Sequence, residues 1–348
     1  MDDENIRAVT EHILTTHSYP GLAPGFAFGV VSREQILYLG AAGFLEDDGA
    51  LATPETIYDL ASLTKVVATT PVVLRLAELG QLSLKDQAKT WIPELPEGLR
   101  LYHLLTHSSG IIHWLPLFEG DLSEQGIICH IVKDGMKYGI GEHVEYSCMG
   151  FILLDIIIKR VTGHTVAELA QQWIWKPLGM NHTQYTPPEE WLPLIAPTEI
   201  VNGAHLRGVV HDENARFRGG VSGNAGVFSS VADLSRYVGM LLNRGTLDGV
   251  RVLSPYSIDL MMQDRTPGKE EDRTIGWILG PTYSMAPDFI STRSFGHSGF
   301  TGTSIVVDME RNIGIIELGN GVYYGRALGD EGIHARRLLA NVLYEAFA

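Results

Sequence analysis

Asp59-Leu-Ala-Ser62-Leu-Thr-Lys65-Val-Val-Ala-Thr-Thr-Pro-Val-Val-Leu-Arg-Leu-Ala-Glu-Leu-Gly80 is the stretch on which the reading of the chain turns. From Leu63 onward apolar residues recur at helical spacing, through Val66, Val67, Val73, Leu74, Leu76 and Leu79. Gly80 stands where a helix C-cap belongs. The spacing predicts a helix whose first turn carries Ser62 and, three residues on and on the same face, Lys65. Pro71 falls inside the pattern and predicts a kink or a broken hydrogen-bond ladder nearby. A serine hydroxyl is a poor nucleophile until a neighbouring base takes its proton. An amine held against it, desolvated so that its pKa falls, is such a base. A helix N-terminus also aims free backbone N–H groups at the place where an oxyanion would form. The pair alone is a cheap pattern, expected about once by chance in a chain this long, and its plain reading is an N-cap serine and a solvated lysine.

The rest of the chain sets bounds on that reading. Its 348 residues, 45% hydrophobic and 19% charged, suffice for a substantial core in one large domain or two. A formal net charge of -15 argues against nucleic acid or an anionic membrane as the main partner. Two cysteines, Cys129 and Cys148, supply neither a disulfide framework nor metal-ligand spacing. The acidic start lacks a basic n-region and an apolar h-region, and no apolar run of about 18 residues occurs. The expectation is therefore a cytoplasmic protein without membrane insertion, unless a leader was trimmed. No phosphate-binding loop or dinucleotide fingerprint is present, so no cofactor is expected.

Strand patterns lie at both ends and helical ones between them. Residues 3–16 read as a helix, and Gly25–Val31 and Gln35–Ala41 as a hairpin across Ser32-Arg33-Glu34. Helical periodicity follows at Leu99–Leu105, Gly126–Met136, Gly150–Val161, Thr165–Ile174 and Ser230–Asn243. Thr303–Asp308 and Ile313–Leu318 form a second hairpin, and Ile333–Ala346 a closing amphipathic helix. This order predicts an α+β domain over residues 1–348. An antiparallel sheet would be built from both termini (about 1–70 and 274–348), flanked by helices, with a mostly helical part (about 71–273) inserted. The chemistry is expected at the boundary between the two parts.

Two later stretches offer Ser62 its partners. Glu145-Tyr146-Ser147-Cys148-Met149-Gly150 immediately precedes the apolar helix expected from Phe151, and a tyrosine there is either core packing or a general acid/base that a cation such as Lys65 would help ionise. Phe295-Gly296-His297-Ser298-Gly299-Phe300-Thr301-Gly302-Thr303 leads into a strand, and its glycines let a ligand approach an edge backbone. His103 and His107 share i, i+4 spacing, but the glutamate of a His-Glu-x-x-His zinc site is absent. His107 is expected to fix the Thr-His-Ser-Ser-Gly turn by hydrogen bonds instead. Gly296-His-Ser298-Gly-Phe300 lacks the final glycine of an α/β-hydrolase elbow.

Ser62-Leu-Thr-Lys65, Tyr146-Ser147-Cys148 and His297-Ser298-Gly299, in that order, resemble the Ser-x-x-Lys, Tyr-x-Asn and Lys-Thr-Gly or His-x-Gly motifs of the serine β-lactamase and penicillin-binding-protein superfamily. The likeness is to its class C β-lactamase-like branch of esterases, D-amino-acid-specific peptidases and β-lactamases. His103-Leu-Leu-Thr-His107-Ser-Ser-Gly110 and Gly223-Asn-Ala-Gly-Val-Phe-Ser-Ser230 with Asp233 resemble two further signatures, and the likeness runs from about Gly25 to Gly321. The resemblance implies a β-lactamase/transpeptidase-like fold and a metal-independent serine hydrolase acting through an acyl-enzyme on an ester, D-amino-acid peptide or amide. Ser62 would be acylated, Lys65 would help deprotonate it, and Tyr146 would act as base and then as acid. The backbone N–H groups of Ser62 and Phe300 would form the oxyanion hole. Cys148, His297, Ser298 and Gly299 would line the substrate site, with Ser298 bonding a substrate carboxylate. Cys148 stands where the family has an amide-bearing asparagine, and His297 where a lysine is common. A thiol is a weak donor and acceptor, and a histidine is no permanent cation. Both departures favour an esterase or peptidase over efficient β-lactam hydrolysis. The alternatives are a true class C-type β-lactamase and a non-catalytic penicillin-binding sensor on the same fold.

Overall fold

The strands expected near the two ends of the chain pair with one another in the computed structural model, which describes residues 8, 9, 12, 23–121, 123–326 and 329–347. β1 (Gly25–Val31) and β2 (Ile36–Gly43) make the expected hairpin. β3 (Ile278–Leu279), β4 (Ser294–Gly299), β5 (Thr303–Asp308) and β6 (Ile313–Gly319) come from the C-terminal part. Together they form one antiparallel six-stranded sheet in the order β3-β4-β5-β6-β1-β2. The seam between the two ends of the chain runs from Phe26 opposite Gly319 to Val31 opposite Gly314. The helix expected over residues 3–16 lies outside the described residues apart from 8, 9 and 12, which are helical.

Four helices matter for the site: α1 (Thr70–Glu78), α2 (Cys148–Thr162), α3 (Val231–Leu242) and α4 (Gly329–Phe347). β1 and β6 are buried along their whole length because helices cover both faces of the sheet. On one face Phe28, Val30, Ile313 and Ile315 pack with Leu339, Ala340 and Leu343 of α4. On the other, Ala27, Val31, Ile316 and Leu318 join the main core with Val231, Leu234 and Val238 of α3. α3 approaches so closely that a Cβ at Gly314 would lie 2.2 Å from Val238 Cγ1. Alternation along β1 thus assigns its odd and even residues to different helices.

The Ser62 segment is helical, though not as one regular helix. Ala61–Leu63 is a single 3-10 turn, Lys65–Thr69 is a widened turn of the i→i+5 type, and α1 follows. Pro71 is the cause. It has no N–H for the carbonyls four and five residues back, those of Val67 and Val66. The Trp175 indole N–H donates to Val67 O at 3.1 Å, and the Tyr237 hydroxyl to Val66 O at 2.6 Å. Both aromatic side chains are buried. A buried carbonyl stripped of its donor costs about 1–3 kcal/mol, so this pairing is what makes the proline tolerable. Gly80 takes the expected left-handed conformation, at φ +68°. Leu79, expected on the apolar stripe, is exposed because the widened turn shifts the register of the residues after it.

Among the described residues no helix is long and apolar enough to cross a membrane.

Candidate active site

Ser62 sits on a strained approach. Ala61, immediately before it, has φ +45°, a left-handed conformation that costs a non-glycine residue roughly 1–2 kcal/mol. The surroundings fix it there. Ala61 N–H donates to Asp59 Oδ1 at 2.9 Å, His211 N–H donates to Asp59 Oδ2 at 2.6 Å, and Leu60 N–H bonds Val227 O at 2.9 Å. Burial pushes the Asp59 carboxyl above its ordinary pKa, and the two backbone N–H donors offset this only in part. The result is a partly exposed Ser62 hydroxyl above a wholly buried Lys65.

Lys65 is held by three polar neighbours beside Tyr146. Its Nζ donates to Ser62 Oγ at 2.9 Å, to Asn224 O at 3.0 Å and to Cys148 Sγ at 3.5 Å. The sequence-based expectation of a lowered amine pKa needs correction. Burial does push Lys65 down, but Cys148 and Tyr146, as nearby potential anions, more than offset it, and Lys65 stands above its ordinary value. At neutral pH Lys65 is an ammonium.

Tyr146 is held over that ammonium from several sides. Lys65 Nζ lies 5.0 Å from its ring centroid, and the Arg273 guanidinium carbon lies 5.4 Å from the same centroid. The His107 ring anchors the Tyr146 loop instead of the Thr-His-Ser-Ser-Gly turn that it was expected to fix. Its Nδ1 accepts the Ser147 N–H at 2.9 Å, and its ring packs 4.6 Å from the ring of Tyr146. Glu145 N–H bonds His107 O at 2.9 Å, and Cys148 N–H bonds His113 O at 3.0 Å. Burial and the neighbouring Arg273 and Lys65 cations hold the His107 imidazole well below its usual pKa, so it acts as a neutral strut. Burial raises the Tyr146 phenol, and the Lys65 charge and hydrogen bonding from Lys65 and Ser62 only partly reverse this.

α2 begins earlier than its periodicity predicts, at Cys148 instead of about Gly150, because Ser147 Oγ caps it by accepting Gly150 N–H at 3.2 Å. Cys148 therefore occupies the first turn of a helix, buried and turned toward Lys65.

The opposite wall is β4. β3 covers β4 only at Phe295 and Gly296, so the outer side of His297–Gly299 has no strand partner among the described residues. The turn after β4 is bound to the Ser62 segment by two threonines. Thr301 Oγ1 donates to Asp59 O at 2.6 Å and Thr303 Oγ1 to Leu60 O at 3.0 Å. A Cβ at Gly299 would lie 2.3 Å from Leu60 O, so glycine is required for this approach. These bonds bring Phe300 beside Ser62. His297 is buried and neutral: burial first, then the Arg273 and Lys65 charges, hold it well below its usual pKa. Its Nδ1–H donates to Ser298 O at 2.8 Å, which leaves Nε2 as an acceptor.

Ser62, Tyr146, Cys148, His297, Ser298, Gly299 and Phe300 all line one cavity of about 820 Å³, with Lys65 beneath its floor. The cavity also holds residues that sequence reasoning missed, among them Trp114, Asp212, Arg273 and Arg336. Arg273 supplies a cation that His297 does not. It is buried, and its Nε donates to Glu271 Oε2 at 2.5 Å. Its backbone is held by an isolated bridge to Ile278, by Thr266 Oγ1, which accepts its N–H at 2.8 Å, and by Arg265 N–H, which donates to its carbonyl at 2.8 Å, none of which leaves a periodic signal in the sequence.

A serine hydrogen-bonded to a buried lysine, in one cavity with a tyrosine at the edge of an antiparallel sheet, is an arrangement suited to nucleophilic catalysis. A family model described as Beta-lactamase matches residues 7–339, and the chain belongs to that family of serine hydrolases, with a β-lactamase/penicillin-binding-protein-like fold. An Escherichia coli (strain K12) protein provisionally named D-alanyl-D-alanine carboxypeptidase is 30% identical over 341 residues, covering 84% of this chain and 77% of its own. An N-acetylmuramyl-L-alanine amidase of Bacillus subtilis (strain 168) is 29% identical over 343 residues, covering 85% and 77%. The solved structure of the octameric penicillin-binding protein homologue from Pyrococcus abyssi superposes with a TM-score of 0.75 at 26% identity, covering 97% of this chain and 77% of that one.

Proposed function

We propose that this chain hydrolyses a carboxylic ester, or a D-amino-acid peptide or amide, through an acyl-enzyme on Ser62, and turns over β-lactams slowly or not at all. One observation carries the reading: the Lys65 ammonium is bonded at once to Ser62 Oγ, Asn224 O and Cys148 Sγ. Ser62 Oγ attacks the substrate carbonyl while its proton passes to Tyr146, ionised beside the Lys65 ammonium. The backbone N–H groups of Ser62 and Phe300 receive the developing oxyanion. Tyr146 then returns the proton to the leaving alcohol or amine, and a water activated the same way releases the acid.

Cys148 supports the ester side of the reading. Its sulfur occupies Lys65 but offers no strong donor to the carbonyl of an acylamino group. The names of the Escherichia coli and Bacillus subtilis relatives support the peptide and amide side. A second reading, β-lactamase turnover, draws on one feature: Arg273 gives the cavity a cation suited to a carboxylate-bearing substrate.

The test is hydrolysis of p-nitrophenyl butyrate by wild type and Ser62→Ala, with a chromogenic cephalosporin run beside it. Ester turnover that vanishes in Ser62→Ala, with little cephalosporin cleavage, is the expected result. Faster cephalosporin turnover favours the second reading, and unchanged ester turnover in Ser62→Ala overturns both.

A further inference from the structure

Two cations from separate parts of the chain stand over the Tyr146 ring, the Lys65 ammonium at 5.0 Å from its centroid and the Arg273 guanidinium carbon at 5.4 Å. Three imidazoles pack on the same ring, His107 at 4.6 Å, His113 at 5.3 Å and His297 at 6.1 Å between centroids. His107 and His297 are held neutral, chiefly by burial. The thiol of Cys148 faces Lys65, and Asp212 and Glu271 bring carboxylates to the cavity lining. Arg273 is the member of this group whose presence needs explaining. It is only 3% exposed, and a buried guanidinium is costly unless its donors are met. Its Nε and Nη2 both meet Glu271 Oε2 at 2.5 Å. Its Nη1 is buried and has no hydrogen-bond partner among the described residues. A buried donor left over in this way calls for a reason. Since Nη1 is closed to solvent and the other two nitrogens lie on Glu271, the guanidinium is better placed to act on the ring beside it than to grasp a ligand in the cavity.

Resting on the serine-hydrolase reading above, we infer that Arg273 is a positioning residue for the proton transfer: its buried cation stabilises the Tyr146 phenolate that takes the proton of Ser62. On this wall His297 stands where a lysine would bring a permanent charge, and the charge comes instead from the loop before β3. The interaction runs both ways, since Tyr146 is, after Glu271, the charge that most favours the Arg273 cation. An opposite charge within about 4–6 Å changes the ionisation of an acid by about 10- to 1,000-fold, and the Glu271 carboxylate beside Arg273 leaves the low end of that range, about tenfold. Glu271 thus works against Arg273, and removing its charge strengthens the pull on Tyr146. A pair that served only to hold the loop would behave in the opposite way, because either substitution would break it.

The experiment is steady-state hydrolysis of p-nitrophenyl butyrate at about pH 8 by wild type, Arg273→Met, Arg273→Lys and Glu271→Gln. With Arg273→Met, kcat is expected to fall about tenfold with KM within about twofold, while Arg273→Lys, which keeps the charge, stays within about threefold of wild type. With Glu271→Gln, kcat is expected to rise by about twofold. The same constants for mono-p-nitrophenyl glutarate, an ester that carries a carboxylate, should show the same losses. A loss confined to KM for the glutarate places Arg273 on the substrate and overturns the inference. So do losses of kcat in both Arg273→Met and Glu271→Gln, which mark a strut, and an unchanged kcat in Arg273→Met. Labelling with a phosphonofluoridate separates the inference from the reading beneath it. Ser62 Oγ forms the P–O bond while fluoride and the hydroxyl proton depart, so the demand for a base is read without turnover. Labelling of Ser62 about tenfold slower in Arg273→Met is expected. Equal rates in the two proteins overturn the role of Arg273 and leave the serine nucleophile standing, whereas no labelling of wild-type Ser62 overturns both.

Discussion

The floor and the rim of the cavity are built on opposite terms. On the floor Lys65 is bonded to Ser62, Asn224 and Cys148, the loop of Tyr146 is fixed by His107, and Ser62 is locked behind a strained Ala61. At the rim, Phe217 and Phe300 stand half in water. The floor is therefore rigid at a cost in strain and desolvation, whereas the rim leaves apolar surface for a ligand to cover. Under the proposed function, the contrast assigns the acyl transfer to the floor and the choice of substrate to the rim and to Cys148, the floor residue that departs from the family motif.

Tyr146→Phe strikes the floor hardest after Ser62 itself. Removing the hydroxyl should lower kcat by about 10²-fold or more with KM little changed, as steady-state kinetics on an ester would show. A loss confined to KM would move Tyr146 from chemistry to binding. The pH profile probes the same pair. Lys65 and Tyr146 both stand above their ordinary pKa values, Lys65 because its anionic neighbours outweigh burial and Tyr146 because burial outweighs Lys65. The form that has lost one proton is thus a minority at neutral pH and grows as pH rises. kcat/KM for a neutral ester should climb by nearly tenfold from pH 7 to pH 8 and go on climbing to pH 9. A plateau reached below pH 8 would contradict this.

Cys148→Asn sharpens the comparison from inside the floor. An amide there restores a donor for an acylamino carbonyl, so cephalosporin turnover should rise by about tenfold relative to butyrate ester turnover. An unchanged ratio would mean that Cys148 has no part in specificity. The smallest effect lies under the floor. Tyr237→Phe leaves the buried Val66 carbonyl without its donor and should cost about 1–3 kcal/mol, read by urea unfolding. A cost near zero would show that the Pro71 turn does not need that bond.

Much of this was legible in the sequence because it rests on regular spacing. The pairing of both chain ends in one sheet follows from strand patterns on each side of a helical middle, and β1, β2, β5 and β6 fall within two residues of expectation. Ser62 and Lys65 are three residues apart on one turn, so their contact is local. The threonine bonds that draw Phe300 to Ser62 span more than two hundred residues and leave no periodic trace. Arg273 was illegible for a similar reason, since an isolated bridge and loop hydrogen bonds to Thr266 and Arg265 place it. The widened turn at Lys65–Thr69 shows the limit of propensity. Pro71 announced a disturbance, but its form depends on Trp175 and Tyr237, two distant donors.

The most direct test of the central claim is mass spectrometry of the protein quenched within milliseconds of mixing with p-nitrophenyl butyrate. One butyryl group is expected on the peptide carrying Ser62, formed more slowly in Tyr146→Phe, where Ser62 has lost its base. A butyryl group found on Cys148 or on Lys65, with Ser62 unmodified, would contradict it.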